Sequence, residues 1–145
     1  MAFSDLHSNI FGYTSIPPLT VSDNTAQVGN IIDTQFFGEI EFVIVIGTLV
    51  DAAATFTILV EEGDDPTLSD AAQVPFDFLI PNQDPTTSAG FAGATDSDTV
   101  KRFGYVGDKQ YVRCTITPVN NAAAATFGMV AIAGQPFHGA ADENT

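Results

Sequence analysis

The strongest secondary-structure signal in this sequence is the run Glu39-Ile40-Glu41-Phe42-Val43-Ile44-Val45-Ile46. It begins as an alternation of polar and apolar residues and ends as an uninterrupted apolar run, which is typical of a central strand with one end covered on both faces. After Gly47 and a connection of small residues, Thr55-Phe56-Thr57-Ile58-Leu59-Val60 alternates again. We expect this second run to be the antiparallel neighbour of the first, with Phe56, Ile58 and Val60 on one face and Thr55, Thr57 and Leu59 on the other.

Further strands are predicted on both sides of this pair. Residues 76–80 resemble a short strand closed by Pro81, residues 125–133 are the last strand, and residues 16–21 are extended by their prolines. Residues 82–98, with many Pro, Thr, Ser, Gly and Asp, are expected to form a long surface loop. About six to eight short strands joined by turn-rich loops predict an all-β, single-domain fold. We expect an antiparallel β-sandwich, jelly-roll-like, or a small barrel, with an extended N-terminal arm.

The chain is expected to divide into three parts. Its 145 residues fit one domain of ordinary size. Residues 1–15 resemble an arm more than a folded element, residues 16–138 form the β-sandwich domain, and residues 139–145 form a loose C-terminal tail.

The composition limits the partners of the chain. Eighteen Asp and Glu against four Lys and Arg give a formal net charge of −14. Nucleic acid and anionic membranes are both bound through many cations, so neither is expected as a partner. The first residues lack the basic start and apolar run of a signal peptide, and the longest apolar run, residues 42–46, is too short to span a bilayer. The sequence therefore predicts a soluble product made in a cytoplasm.

All four cations of the chain lie in the segment 99–117, and they are Lys101, Arg102, Lys109 and Arg113. The segment is predicted to be a β-hairpin with Gly107-Asp108 as a two-residue type II′ turn, in which glycine supplies a positive φ. This register places Arg102 directly opposite Arg113, and like charges in that position destabilise a sheet. Both arginines should therefore meet carboxylates outside the hairpin, which belong either to this chain or to a partner or a neighbouring copy. A longer turn would change the register and could separate the two arginines.

The residues show no catalytic or metal-binding arrangement. His7 and His138 have no ligand at metal-binding spacing, and the acidic runs at 61–65 and 96–98 lack the spacing of a calcium loop, so they are interpreted as solvated turns. No phosphate-binding loop or nucleophile elbow occurs. A glycosidase would need only two acids across a groove, but the chain has no Trp to form a sugar platform. We expect no enzyme activity, cofactor or metal, and the lone Cys114, which excludes an internal disulfide, is predicted to be a buried free thiol.

An ordered series of motifs covers most of the chain. Its pieces are Asp5-Leu6-His7-Ser8-Asn9-Ile10, Ile31-Ile32-Asp33-Thr34-Gln35, Glu41-Phe42-Val43-Ile44, Ile46-Gly47-Thr48-Leu49, Ala54-Thr55-Phe56-Thr57, Val60-Glu61-Glu62-Gly63-Asp64, Val100-Lys101-Arg102-Phe103-Gly104-Tyr105-Val106-Gly107 and Arg113-Cys114-Thr115-Ile116-Thr117-Pro118. Taken in this order, the chain resembles the small structural proteins encoded among the head genes of tailed bacteriophages, which decorate or cement the capsid.

The resemblance implies a non-enzymatic, β-rich virion protein that binds the outside of the expanded capsid and bridges adjacent capsid subunits. The implied partners are the major capsid protein and neighbouring copies of the chain, as a homo-oligomer or on the lattice, and the implied location is the capsid exterior. Candidate contacts are Lys101, Arg102, Lys109, Arg113, Tyr105, Tyr111, Leu6 and Ile10. Two alternatives stay open: a minor head–tail connector or tail component, and a calcium-dependent carbohydrate-binding β-sandwich.

Overall fold

Across residues 5–136, the part of the chain that the computed structural model describes, eleven β-strands form two sheets. The strands are β1 (Ile10–Val21), β2 (Gln27–Val28), β3 (Ile32–Asp33), β4 (Phe37–Leu49), β5 (Thr55–Gly63), β6 (Ala72–Gln73), β7 (Leu79–Ile80), β8 (Phe91–Ala92), β9 (Val100–Tyr105), β10 (Tyr111–Val119) and β11 (Ala125–Pro136). One short helix, α1 (Pro85–Ala89), and two 3₁₀ turns, His7–Asn9 and Phe76–Phe78, complete the elements of this region.

The two sheets pack face to face as an antiparallel sandwich. Sheet A has the order β1-β11-β4-β9-β7, and sheet B has the order β2-β10-β5-β6, with β3 also paired to β10 and β8 to β5. The sheets do not close into a barrel. The predicted all-β class is confirmed, and the sandwich is the correct choice between the two architectures considered.

Two predicted strand pairings are wrong. β4 and β5 lie in different sheets, as do β9 and β10. β4 pairs with β11 and β9, whereas β5 pairs with β10 along its whole length. The connections after β4 and β9 therefore cross from one sheet to the other. A hairpin between them would have put both strands in one layer.

The central strand β4 buries one face only. Ile40, Phe42, Ile44 and Ile46 lie in the core, but Val45 is 52% exposed. The expectation that one end of this strand is covered on both faces is therefore wrong. In β5, by contrast, the predicted faces are confirmed: Phe56, Ile58 and Val60 are buried, and Thr55, Thr57 and Leu59 are exposed.

Three phenylalanines connect the two sheets through the core. Phe56 of β5 stacks on Phe91 of β8 with ring centroids 4.4 Å apart. Phe127 of β11 meets both rings edge-on, at 5.7 Å from Phe56 and 5.6 Å from Phe91. Edge-to-face and stacked aromatic pairs stabilise a core beyond the area that they bury. This cluster fixes sheet A against sheet B at the end of the sandwich where β5 begins.

The segment 82–98, expected to be a long surface loop, is partly built into the fold. Asp84 caps α1 by accepting a hydrogen bond from the Thr86 N–H at 2.8 Å, with Pro85 in the first turn. Ala89 and Phe91 are buried. The expectation is wrong because the sequence of this segment contains both a helix cap and a core aromatic residue.

The side chain of Thr86 occupies the open edge of β5. Its hydroxyl accepts a hydrogen bond from the Ile58 N–H at 2.8 Å and donates to the Ile58 carbonyl at 3.1 Å. These two backbone groups have no strand neighbour on that side, because β6 and β8 pair with β5 only near its ends. The Thr86 hydroxyl thus satisfies the two backbone groups that a neighbouring strand would otherwise bind. This keeps the edge of β5 from pairing with another chain.

Part of the arm expected over residues 1–15 is a strand. Residues 10–15 belong to β1, where Ile10 pairs with Gly134 and Thr14 with Val130 of β11. The tail predicted at residues 139–145, and His138, lie outside the described residues. Within residues 5–136 no helix has the length and hydropathy needed to cross a bilayer.

We expect Thr86→Val to destabilise the protein by about 1–3 kcal/mol, because it leaves the N–H and carbonyl of Ile58 without partners in a half-buried position. Thr87→Val is the matched control, since Thr87 is exposed on the same helix and should change stability by less than about 0.5 kcal/mol. Urea unfolding of both variants measures the difference. Equal stability of the two variants would show that Thr86 does not protect this edge.

Candidate functional site

The four cations do not form a ribbon. Lys101 and Arg102 lie on β9 in sheet A, Arg113 lies on β10 in sheet B, and Lys109 lies in the connection that crosses between the sheets. Arg102 pairs with Val43 and Arg113 with Glu61, so the two arginines do not face each other. The predicted hairpin register is therefore wrong, and the like-charge conflict that it contained is absent.

Each cation pairs with a carboxylate of its own chain. The ion pairs are Lys101 Nζ to Asp96 Oδ1 at 3.1 Å, Arg102 Nη1 to Glu41 Oε1 at 2.9 Å, Lys109 Nζ to Asp64 Oδ2 at 2.7 Å and Arg113 Nη2 to Glu61 Oε2 at 2.9 Å. The interpretation in which the arginines meet carboxylates of the same chain is the one that the structure bears out.

The ion pairs differ in how much of each cation stays accessible. The side chain of Arg102 is 74% exposed and that of Arg113 only 24%. Arg113 makes two hydrogen bonds, because Nε and Nη2 both donate to Glu61 Oε2, whereas Arg102 makes one to Glu41. A bound partner could reach Arg102 but would have to displace Glu61 to reach Arg113.

The Lys109 pair is exposed on both sides. Its hydrogen bond lowers the pKa of the Asp64 carboxyl and raises the pKa of the Lys109 amine. Exposed pairs of this kind add little stability, because solvent screens both charges. The pair therefore links the connection between β9 and β10 to the end of β5 but contributes little to the free energy of unfolding.

Tyr105 lies inside the sandwich, although the sequence predicted it as a surface contact. It is 1% exposed, and its hydroxyl donates to the buried Glu62 Oε2 at 2.6 Å. The connection after β9 passes over the ring so closely that a Cβ at Gly107 would overlap the Tyr105 side chain. Among the described glycines none has a positive φ, so Gly107 is required by space and not by the turn type that the sequence predicted.

Tyr111 stays close to the surface on the outer side of sheet B. It is half-buried and pairs with Asp33 on one side and Gly63 on the other. Its hydroxyl accepts a hydrogen bond from Gln110 Nε2 at 3.1 Å. It is therefore partly accessible, unlike Tyr105.

The N-terminal turn presents an exposed leucine beside a groove. Asp5 Oδ1 accepts a hydrogen bond from the Ser8 N–H at 2.6 Å, and this bond lowers the pKa of the Asp5 carboxyl. The turn holds Leu6, which is 73% exposed. A groove of about 640 Å³ is lined by Leu6, His7, Ile10, Phe11 and Gly12. This is the most apolar of the surfaces that the predicted contact residues form.

Carboxylates in and beside the acidic runs accept hydrogen bonds from backbone N–H groups of nearby turns. Asp70 accepts hydrogen bonds from the N–H groups of Asp64 and Asp65, and Asp65 accepts one from the Thr67 N–H. Asp96 accepts one from the Ala92 N–H in addition to its ion pair. Within residues 5–136 no group of three or more His, Cys, Asp or Glu side chains is arranged to hold a metal ion.

Cys114 is a buried free thiol, as predicted. It is 0% exposed in the core of β10, and burial raises the pKa of its thiol. A protonated, inaccessible thiol of this kind is unreactive, so Cys114 is a packing residue.

Comparisons with known proteins match the fold. No protein-family model matches the chain, and no curated protein matches it in sequence. The PBSX exported protein XepA aligns with a TM-score of 0.54 and 10% identity over 88% of this chain and 38% of that chain. A structure of infectious bursal disease virus, Gx strain, aligns with a TM-score of 0.50 and 9% identity, over 93% of this chain and 34% of that chain.

The SPBc2 prophage-derived protein YomS aligns with a TM-score of 0.44 and 8% identity, over 91% of this chain and 98% of that chain. The chain spans well under half the length of XepA and of the infectious bursal disease virus chain. At these identities the likeness concerns the fold, which is a sandwich of two antiparallel sheets.

We expect Tyr105→Phe to destabilise the protein by about 1–3 kcal/mol, because the buried Glu62 carboxylate loses its hydroxyl donor. Tyr111→Phe is the matched control, since its hydroxyl bonds to a half-buried, uncharged glutamine, and it should cost less than about 1 kcal/mol. Urea unfolding at neutral pH measures both. A cost for Tyr105→Phe no larger than that for Tyr111→Phe would contradict the role given to the buried hydrogen bond.

Tyr105 should also resist ionisation. Burial, followed by the hydrogen bond to Glu62 and its negative charge, raises the pKa of the Tyr105 phenol above the usual value of about 10. Because the folded state holds this proton more tightly than the unfolded state, its contribution to stability is complete below about pH 10 and is lost as the pH rises through and above that value. Folded wild-type and Tyr105→Phe proteins should therefore show the same phenolate absorbance up to about pH 11. An additional phenolate in the folded wild type near pH 10 would contradict this.

Proposed function

We propose that this chain is a structural protein of a tailed-bacteriophage particle. It binds the outer surface of the expanded capsid and cements adjacent capsid subunits, with the major capsid protein as its partner and without catalytic activity. The observation that carries the proposal is the ordered series of motifs from Asp5 to Pro118 that resembles capsid-decorating proteins.

The architecture supports this function. Two sheets packed around an aromatic core form a compact body of the kind that a clamp between subunits requires, and one open sheet edge is closed by Thr86. The same fold occurs in a structure of infectious bursal disease virus. A protein that binds only the expanded lattice stabilises that lattice by mass action, and many copies on one shell add to the effect.

The predicted contact residues differ in their suitability for docking. Leu6 and Ile10 line an apolar groove that is open to solvent. Arg102, Lys109 and Tyr111 are accessible, but both cations are already paired with carboxylates of the chain. Burial of apolar surface supplies affinity more effectively than exchange of one exposed ion pair for another. We therefore propose the N-terminal groove as the principal contact and the cations as its polar surroundings.

Binding to capsids that lack this protein tests the proposal. Purified chain should sediment with expanded capsids and not with unexpanded ones. Leu6→Asp should weaken binding by at least about tenfold, because it places a charge in an apolar contact. Val28→Asp is the matched control, since Val28 is 60% exposed on sheet B, and it should bind as the wild type does. Equal binding to both forms of the capsid, or none, would contradict the proposed function.

A further inference from the structure

The outer face of sheet A is unusually apolar for a surface that faces solvent. Along β4, Val45 pairs with Val100 and Gly128, and Val43 pairs with Val130. Val45, Val100 and Val130 are 52%, 59% and 40% exposed. An antiparallel sheet with one solvated face normally carries polar residues there. These valines therefore call for a partner surface.

The outer face of sheet B mixes polar and apolar residues. It carries Thr55, Thr57 and Thr117, but also Val28, Leu59 and Val119, which are 60%, 39% and 39% exposed. It also carries the ion pair between Arg113 and Glu61. In sheet B, Thr115 lies between Val28 and Leu59. In sheet A, by contrast, Val45 is paired directly with Val100 and Val43 with Val130, so its valines form the more continuous apolar surface.

The charge of the chain is also distributed unevenly. The five strands of sheet A contain two carboxylates, Glu39 and Glu41, and two cations, Lys101 and Arg102. Lys101 pairs with the buried Ile44 and so lies on the inner side of the sheet. The outer face therefore carries Glu39, Glu41 and Arg102, a net charge of −1 in a chain whose formal charge is −14. Two copies of such a chain repel each other through most of their surfaces, and this face is where they approach with the least like-charge repulsion.

A shallow groove runs across the face. Its walls include Pro18, Val45 and Val130, its volume is about 260 Å³, and none of its lining residues is charged. The groove lies where β1 bulges away from β11. Gly128 keeps it open, since a Cβ there would lie 3.1 Å from the Pro18 Cα. A groove of this kind can receive an aliphatic side chain from an opposing surface.

The face is large enough for a specific dimer. The four strands β1, β11, β4 and β9, about 4.8 Å apart and on average roughly ten residues long, cover about 600 Å². Stable interfaces begin at about 1,200 Å² in total, or about 600 Å² from each partner. The face also carries both signs of charge, because Arg102 and its partner Glu41 are both accessible. A surface with both signs can match a second copy of itself across a two-fold axis.

We propose that the outer face of sheet A is the contact between two copies of this chain. The valines around Val45 and Val130 form its dry centre, and Arg102 and Glu41 form cross-pairs at its edge. The association does not depend on the virion role, so free chains in solution are expected to show it. It strengthens with salt, because salt screens the acidic loops of the two copies and leaves the apolar contact intact.

Sedimentation equilibrium over a range of protein and NaCl concentrations tests the proposal. The wild type should form dimers, with a dissociation constant that falls as NaCl rises from about 0.1 M to about 1 M. Val45→Asp should raise the dissociation constant by at least about tenfold. Leu59→Asp is the matched control, because it adds the same charge at a 39% exposed residue on the outer face of sheet B, and it should dimerise as the wild type does.

A second variant covers the case in which Val45→Asp does not fold. Val45→Thr combined with Val130→Thr keeps β-branched side chains on both strands and should still weaken the dimer by about tenfold. A wild type that stays monomeric at about 1 M NaCl would overturn the proposal, as would equal effects of Val45→Asp and Leu59→Asp. A monomeric wild type whose Val45→Asp variant loses binding to expanded capsids would assign this face to the shell protein and also overturn it.

Discussion

The packing of Phe56, Phe91 and Phe127 between the sheets is the contact on which the rest of the structure depends. The long strands β4 and β5, and again β9 and β10, follow each other in sequence but lie in opposite layers. No hairpin holds either pair together, so the layers are joined through their apolar faces. Strand pairs such as β4 with β11 form between distant parts of the chain. A fold of this kind is expected to form slowly and cooperatively, because distant segments must meet before either sheet is complete.

The ionic arrangement follows from the same crossing. Since β9 and β10 lie in different sheets, their cations point to different surfaces, and each finds a carboxylate on its own side of the sandwich. The chain thus uses its few cations to neutralise itself locally. What remains for partners is a set of acidic loops and the exposed apolar residues, among them the groove at Leu6 and the valine face of sheet A. The two proposed contacts use those apolar features, because they are exposed to solvent whereas the cations are already paired.

Sequence patterns predicted the faces of the strands well and their partners poorly. The alternation around Phe56 correctly identified the buried side of β5, because a strand has the same period wherever it pairs. The rule that neighbouring strands pair favoured two hairpins, and nothing in the residues of 50–54 or 106–110 showed that these connections cross between sheets. The valines of β4 were interpreted as buried, because an apolar run does not reveal whether its second face is covered by the same chain.

The sequence contained signals for the helix and the buried aromatic residue in the segment 82–98. The pair Asp84-Pro85 is a helix-start signal in a segment that was predicted to be a loop, and Phe91 is the large apolar residue that this helix leads into the core. The buried position of Tyr105 had no such signal, because a tyrosine near a turn is equally typical of a surface. Its place depends on Gly107, Glu62 and the crossing connection together, which is tertiary information.

A reconstruction of the phage particle at a resolution that resolves β-strands tests the central claim most directly. The claim predicts many copies of this sandwich spread over the outside of the expanded shell, at junctions between capsid subunits, with the N-terminal turn against the shell. A single ring of copies at the head–tail vertex, or a shell without this sandwich, would contradict it.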